Sequence, residues 1–174
     1  MWGLDAGLAR QRHFPAINWL SSYSLYPPSL DQWFRDNIGQ DYPEIRTAIS
    51  SLLQVEAELQ EIVQLVGSDA LPVDQQLTLE VARMIREYFL QQNGFHEVDA
   101  FCAVDLHYKM AKAILTFQES AKSAMAAGAE LQDVVNVPAR TELMRGRFEA
   151  SYADDIDGLV NKMNDEIAAA IEEN

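Results

Sequence analysis

The sequence predicts an all-α fold, a helical bundle with a long helical hairpin, preceded by an irregular aromatic segment. Apolar residues recur every three or four positions through most of the chain after residue 29, as on one face of an amphipathic helix. Glycine and proline fall where these periodic stretches end and begin. No alternating pattern of the strand type competes, so we expect a single helical domain.

The first arm of the hairpin is a long helix that begins near Asp41. Asp41 and Glu44 have the spacing of a capping box, and Gly67 supplies a C-terminal stop. One apolar face is expected from residues that recur at steps of three, four or seven: Ile45, Ile49, Leu52, Leu59, Ile62, Val63 and Val66.

The second arm follows after a tight tip, Gly67 to Pro72. Pro72 stands where a first helical residue belongs, and Asp74 complements the helix dipole. The apolar positions Leu77, Val81, Ile85 and Phe89 are four residues apart and lie on one face. Residues 41–92 are therefore predicted to form a helical hairpin.

Four further helices complete the predicted bundle. Ser29 and Gln32 form a second capping-box pattern, which predicts a short helix to about Asn37. The other three are expected near 104–127, with Met110, Ile114 and Phe117 on one face, near 137–148, and near 153–171.

Residues 1–28 differ from the rest of the chain. Trp2, Phe14, Trp19, Tyr23 and Tyr26 are crowded there among three prolines, with no clean helical period. Leaving so many aromatic rings in water is unfavourable, so we expect this segment to pack on a neighbouring domain. The expected organisation is an irregular joining segment at 1–28 and a helical bundle at 29–174.

Composition excludes several classes of protein. Hydrophobic residues at 48% and charged residues at 23% are typical of a folded globular domain. The net charge of −14 opposes binding to a nucleic-acid backbone. Cys102, the single cysteine, excludes an internal disulfide, and no apolar run approaches the ~20 residues that span a bilayer.

Motifs for self-contained catalysis are absent. The sequence has no phosphate-binding G-x-x-x-x-G-K-[ST], no G-x-G-x-x-G, no G-x-S-x-G and no H-E-x-x-H. His96, Cys102 and His107 do not have the i, i+3 or i, i+4 spacing of helical metal ligands. We therefore expect no catalytic residue and no metal site in this chain.

Three blocks of sequence resemble the C-terminal helical domain of the catalytic A subunit of V-type and archaeal A-type rotary ATPases. The first block resembles the passage out of the nucleotide-binding core, the second the hairpin that faces the rotor, and the third the adenine-side loop and the helix after it. They are WGLDAGLARQRHFPAINWLSSYSLY (2–26), EAELQEIVQLVGSDALPVDQQLTLEVARMIREYFLQQ (56–92) and QQNGFHEVDAFCAVDLHYKM (91–110). The last 50 residues resemble the family only in helical character.

The resemblance implies that this chain is one part of a larger enzyme. ATP or ADP with Mg²⁺ would bind the full-length subunit, where the phosphate loop, the catalytic glutamate and the magnesium ligands precede this sequence. The implied partners are the B subunits of an alternating hexamer, which supply the trans-acting arginine, and the central stalk. The complex would be peripheral, at the cytoplasmic face of a membrane. The fragment by itself is expected to be inactive and to bind nucleotide weakly.

The resemblance also implies two sites. The phenylalanines of its HFP and QQN motifs surround the adenine ring, which assigns Phe14 and Phe95 to an aromatic pocket, with Phe101 as a third wall. Gln92 and Asn93 either contact the base or hold the loop, and Gly94 stands where the family commonly has alanine. The hairpin tip, with Asp69, Ala70, Leu71 and Pro72, would contact the central stalk mainly through apolar contact at Leu71.

Two other interpretations remain at this point. A free-standing helical interaction module would bury its own N-terminal segment, whereas the rotary-ATPase interpretation predicts a proteolysis-prone segment before Pro28. A small metal enzyme would use His96, Cys102 and His107 as metal ligands, although their spacing is not that of helical ligand pairs.

Overall fold

The computed structural model describes residues 1–149 and 151–172, with side chains to residue 171. Almost all of the regular structure is helical, which confirms the predicted fold class. The α-helices are α1 (Ala6–Arg10), α2 (Pro27–Asn37), α3 (Tyr42–Val66), α4 (Val73–Met84), α5 (Val104–Ala126), α6 (Leu131–Val135), α7 (Pro138–Arg145) and α8 (Tyr152–Glu172). Single turns of 3₁₀-helix occupy Ser68–Ala70, Asp99–Phe101 and Gly146–Phe148.

Helices α3 and α4 form the predicted hairpin. Gly67 ends α3 with φ of 85°, a left-handed conformation that glycine adopts without a Cβ clash. Helix α4 begins at Val73, and after Met84 it continues as a wider π-helical turn, Ile85–Leu90. The second arm therefore ends at Leu90, two residues before the predicted end.

The core lies around α5, which packs against α3, α4, α6 and α8. Its predicted apolar face is confirmed, because Met110, Ile114 and Phe117 are all buried. Opposite α5, α8 contributes Ile156, Met163 and Ile167 from its own apolar stripe. This packing fixes the base of the hairpin against the rest of the bundle.

The apolar stripe predicted along the whole of α3 is buried only in part. Ile45, Ile49 and Leu59 are buried, but Ile62 and Val66 are exposed. The distal third of α3 extends beyond the helices that cover its first two thirds, so periodicity alone overstated the buried face.

Both predicted capping boxes are absent, although each helix begins close to its predicted start. Helix α2 starts at Pro27, two residues inside the segment expected to be irregular, and the Ser29 hydroxyl donates to the carbonyl of Tyr26. At α3 the carboxylate of Asp41 accepts hydrogen bonds from Tyr108 and Lys112 instead of capping, which lowers the pKa of Asp41. At α3, partners on α5 thus displace the local cap, whereas at α2 the Ser29 side chain bonds to the residue just before its own helix.

Residues 1–26 contain more order than the sequence indicated. Strand β1 (Gly3–Leu4) pairs antiparallel with β2 (Ile17–Asn18), and two-residue strands are too short to show an alternating pattern. Asp5 caps α1 by accepting from the amides of Gly7 and Leu8 at 2.7 and 3.0 Å. Several large apolar side chains of this segment are nevertheless exposed: Met1, Trp2, Leu4, Leu20, Tyr23, Leu25 and Tyr26.

Within residues 1–149 and 151–172, no helix combines the length and the apolar character needed to span a bilayer.

Candidate functional site

An open cleft of about 490 Å³ lies where the N-terminal segment meets the loop after α4. Its walls come from three separate parts of the chain. They are Arg12 and Phe14, the loop residues Gln91, Gln92, Asn93, Gly94 and Phe95, and the pair Arg147 and Phe148. The structure therefore brings together Phe14 and Phe95, the two phenylalanines assigned to one pocket.

Phe14 and the loop are joined by the backbone. The amide of Gln92 donates to the carbonyl of Phe14 at 2.6 Å. Nearby, His13 fixes the same segment to the π-helical turn, with Nε2 3.1 Å from the carbonyl oxygen of Arg86. The rings remain available to a ligand, since Phe14 is 56% exposed and Phe95 is fully exposed.

Gly94 allows the Phe14 ring to approach the loop closely. A Cβ built at residue 94 would lie 3.1 Å from Cε1 of Phe14, tighter than ordinary van der Waals contact. An alanine there would push the ring outward. With glycine at 94, the Phe14 ring therefore lies closer to the loop than alanine would allow.

The side chains of Gln92 and Asn93 hold the loop together. Gln92 Nε2 donates to the carbonyl of Asp99 at 3.2 Å, and Asn93 Oδ1 accepts from the amide of Phe95 at 3.1 Å. The buried carboxylate of Asp99 accepts from the amide of Asn93 at 2.6 Å. Gln92 and Asn93 could either contact the base or hold the loop, and these hydrogen bonds hold the loop.

Phe101 does not form the expected third wall. It lies on the 3₁₀ turn that precedes α5, its ring is 85% exposed, and it does not line the cleft. Phe148 and Arg147 line the cleft in its place. Sequence reasoning missed this pair because they follow the last block that resembled the family and belong to no motif.

His96, Cys102 and His107 have separate environments. His96 Nδ1 faces the amides of Val98 and Asp99, and the Cys102 thiol faces the carbonyl of Ala103. The His107 ring stacks on Phe89 with 3.9 Å between centroids, and burial lowers its pKa. Among the described residues, no three His, Cys, Asp or Glu side chains are placed to hold a metal ion.

The hairpin tip differs from the expectation at one residue. Asp69, Ala70 and Pro72 are exposed, but Leu71 is only 6% exposed, so its assignment as the apolar surface of the tip is wrong. The exposed apolar residues at this end are Leu65 and Val66, with Val73 beginning α4.

The cleft is lined on several sides by aromatic rings. These aromatic faces suit a flat, unsaturated ring, because such rings stack favourably on phenylalanine. The carboxylate of Asp99, which supports the loop, is buried and accepts from the amide of Asn93.

Comparison with known families decides the class of protein. The sequence profile of the C-terminal domain of V and A type ATP synthase matches residues 31–135. The chain belongs to this family. The match includes the whole hairpin, the loop of the cleft and α5, whereas Phe14 and the Arg147–Phe148 pair lie outside it.

Relatives of this V and A type ATP synthase domain extend the similarity to nearly the whole chain. The A subunit of the A-type ATP synthase of Methanosarcina barkeri is 48% identical over 168 residues, which is 97% of this chain and 29% of the relative. That of Natronomonas pharaonis is 49% identical over 166 residues, covering 95% and 28%. That of Methanoregula boonei is 48% identical over 168 residues, covering 97% and 29%. The chain thus spans less than a third of the length of these relatives.

Proposed function

We propose that this domain belongs to the catalytic A subunit of an ion-translocating A-type ATP synthase and binds the adenine ring of ATP or ADP in the cleft between Phe14 and Phe95. The observation that carries the proposal is the meeting of these two rings on one cleft from distant parts of the sequence. The relatives that match almost the entire chain are named as the A subunit of an A-type ATP synthase. Phosphate and Mg²⁺ would be bound by residues of the subunit that precede this sequence.

The adenine would gain affinity mainly from stacking. One aromatic face contributes roughly 1–3 kcal/mol to the binding of a base and does not depend strongly on which base is bound. The loop that carries Phe95 is held by Gln92, Asn93 and Asp99, so the ring needs no large rearrangement to receive a ligand. Base binding, without a catalytic group, is the role of this domain in the reaction.

The hairpin would couple nucleotide binding to rotation. Its tip projects beyond the buried part of α3 and exposes Leu65, Val66 and Asp69, a surface suited to contact with an asymmetric central stalk. Helix α4 leads directly from the tip to the loop of the cleft. Movement of the hairpin would then carry Phe95 toward or away from the nucleotide.

The rest of the assembly follows from the same proposal. B subunits would flank this subunit in an alternating hexamer at the cytoplasmic face of a membrane. The exposed aromatic and apolar side chains of residues 1–26 would be covered by the nucleotide-binding core of the same subunit. Residues 1–28 are thus proposed as the joining segment, and residues 29–174 as the helical domain.

Replacing Phe14 or Phe95 by alanine in the complete subunit tests the base-binding role. Each replacement removes one stacking face, so we expect nucleotide affinity to fall about tenfold to a hundredfold. Turnover at saturating ATP should fall much less than kcat/KM, because the phosphate side is unchanged. The double variant should lose less binding free energy than the two single variants lose together, because a base that stacks on only one ring is already mobile.

Equilibrium titration with Mg-ADP and steady-state kinetics give these quantities. Phe101→Ala is the matched control, since it removes an exposed phenylalanine outside the cleft. Unchanged affinity in both Phe14→Ala and Phe95→Ala would remove base binding from the proposal and leave the family assignment intact.

A further inference from the structure

The cleft has a third aromatic side chain, Phe148, which comes from the end of a different element. Phe148 closes the 3₁₀ turn Gly146–Phe148 after α7 and lines the same cleft as Phe14 and Phe95. Its ring packs edge-on against His96, with 5.0 Å between centroids and 63° between planes. His96 is the neighbour of Phe95, so Phe148 contacts the loop as well as the cleft.

Arg147 fixes the position of Phe148. Its Nη1 donates to the carbonyls of Glu87, Tyr88 and Gln91 at 2.9, 3.3 and 2.5 Å. These carbonyls end the π-helical turn that leads from α4 into the loop, where a cation also interacts favourably with the helix dipole. The guanidinium is largely buried and has few other positions available.

Two further contacts connect Arg147 to the cleft. Nε lies 3.8 Å from Oδ1 of Asp99, the carboxylate that holds the loop through Asn93. The guanidinium carbon lies 4.7 Å from the centroid of the Phe148 ring, within the range of a cation–π contact. A single side chain therefore joins the end of α4, the loop and Phe148.

We propose that Phe148 is the third aromatic wall of the base-binding cleft, and that Arg147 is the positioning residue that holds it against the loop. This inference rests on the proposed function, and its ligand is the purine ring of an adenine nucleotide. Phe14 and Phe95 supply two rings, and Phe148 supplies apolar surface on the remaining side. Arg147 acts through Phe148 and the loop and needs no contact with the nucleotide.

The decisive experiment titrates the complete subunit with Mg-ADP and compares Phe148→Leu, Phe148→Tyr and Phe101→Leu. Leucine keeps apolar bulk but removes the aromatic ring, so we expect a loss of affinity of about threefold to tenfold. Phe148→Tyr should bind nearly as the parent does, and Phe101→Leu should be unchanged. Circular dichroism of each variant checks that the fold is kept.

The outcomes separate this inference from the proposed function. If Phe14→Ala and Phe95→Ala weaken binding while Phe148→Leu does not, the inference is overturned and the base-binding role stands. If none of the three weakens binding, both fail.

A double-mutant cycle tests whether Phe148 acts directly. If its ring touches the base, Phe148→Leu should weaken binding further when Phe95 is already alanine. If Phe148 only supports the loop, the second substitution should have no further effect, which would overturn its assignment as a wall.

Photolabelling keeps the test decisive if Phe148→Leu fails to fold. Irradiation of the unmodified subunit with 8-azido-ADP should label the peptide that contains Phe148. Labelling confined to the peptides of Phe14 and Phe95 would overturn the proposal.

Arg147→Lys keeps the positive charge but loses the planar fork that reaches several carbonyls at once. A positioning role predicts a raised KM with little change in kcat. A fall in kcat at unchanged KM would contradict it.

Discussion

At the scale of single residues, two glycines allow an aromatic ring to lie close to the backbone. Gly94 lets the Phe14 ring approach the loop, and Gly146 lets the Tyr152 ring lie directly on the turn after α7. The Tyr152 hydroxyl donates to the carbonyl of Leu143 at 2.6 Å, and burial raises its pKa. Because Tyr152 is buried and hydrogen-bonded, its ring cannot move away from a larger residue at 146.

Gly146→Ala should therefore destabilise the chain. An added Cβ would overlap the Tyr152 ring, and forcing extra volume into a packed site costs about 1–3 kcal/mol. Gly158→Ala is the control: it lies inside α8 with no atom near the added methyl, and it should stabilise by about 0.5–1 kcal/mol. Urea unfolding of both variants measures the free energies. Equal stability of Gly146→Ala and the parent would show that the Tyr152 ring is not fixed.

At the scale of elements, the hairpin has a buried base and an exposed end. The first two thirds of α3 pack on the bundle, while the distal third and the tip extend beyond it. Buried charges stay near the base, where Arg86 pairs with Glu56 at 2.9 Å. Burial raises the pKa of Glu56 in spite of this partner. The two parts of the hairpin should therefore respond differently to an added charge.

Leu65→Asp and Leu71→Asp compare an exposed and a buried leucine at the distal end of the hairpin. Leu71 is buried, so a carboxylate there should lower the free energy of unfolding by more than about 3 kcal/mol. Leu65 is 85% exposed, so the same change should cost no more than about 0.5 kcal/mol. Chemical denaturation of this chain gives both values. A mild effect at Leu71 would mean that the tip opens easily.

In the assembled complex, Leu65→Asp should also reduce ion pumping per ATP hydrolysed, because a charge replaces apolar contact with the central stalk. Val55→Asp is the control on the same helix, exposed but nearer to the base. The two rates are measured in the same vesicles. A pumping ratio equal to that of Val55→Asp would remove Leu65 from the rotor-facing surface.

At the scale of the whole molecule, the chain carries the proposed base-binding cleft without the phosphate-loop motif. The chain has no phosphate loop, and its net charge of −14 repels a nucleotide polyphosphate. Phosphate and magnesium contacts provide most of the affinity for ATP and the stabilisation of the transition state. We therefore expect the cleft alone to bind nucleotide only weakly.

We expect this chain by itself neither to hydrolyse ATP nor to bind it tightly. Calorimetry with Mg-ATP and a phosphate-release assay measure both properties, and the complete subunit is the reference. A micromolar dissociation constant for the chain alone would mean that it carries a phosphate site of its own.

The resemblance assigned three phenylalanines to one pocket, and the structure places Phe14 and Phe95 on one cleft and Phe101 outside it. Phe14 and Phe95 lie in motifs that resemble the family, so their placement followed from those motifs. Phe101 was assigned by the same resemblance, but it lies on a 3₁₀ turn outside the cleft. Phe148 and Arg147 reach the cleft only because α7 and its turn pack against the end of α4. No local pattern encodes that contact.

The long helices, the hairpin and the turn at Gly67 could be predicted from the sequence, because period, glycine and proline act within a few residues of where they stand. Which side chains these elements bring together depends on tertiary packing. Asp41 binds Tyr108 and Lys112 in place of capping α3, Leu71 is buried within the tip, and Phe148 lines the cleft. Each outcome depends on residues far apart in the chain, and the geometry of their packing selects the partner that wins.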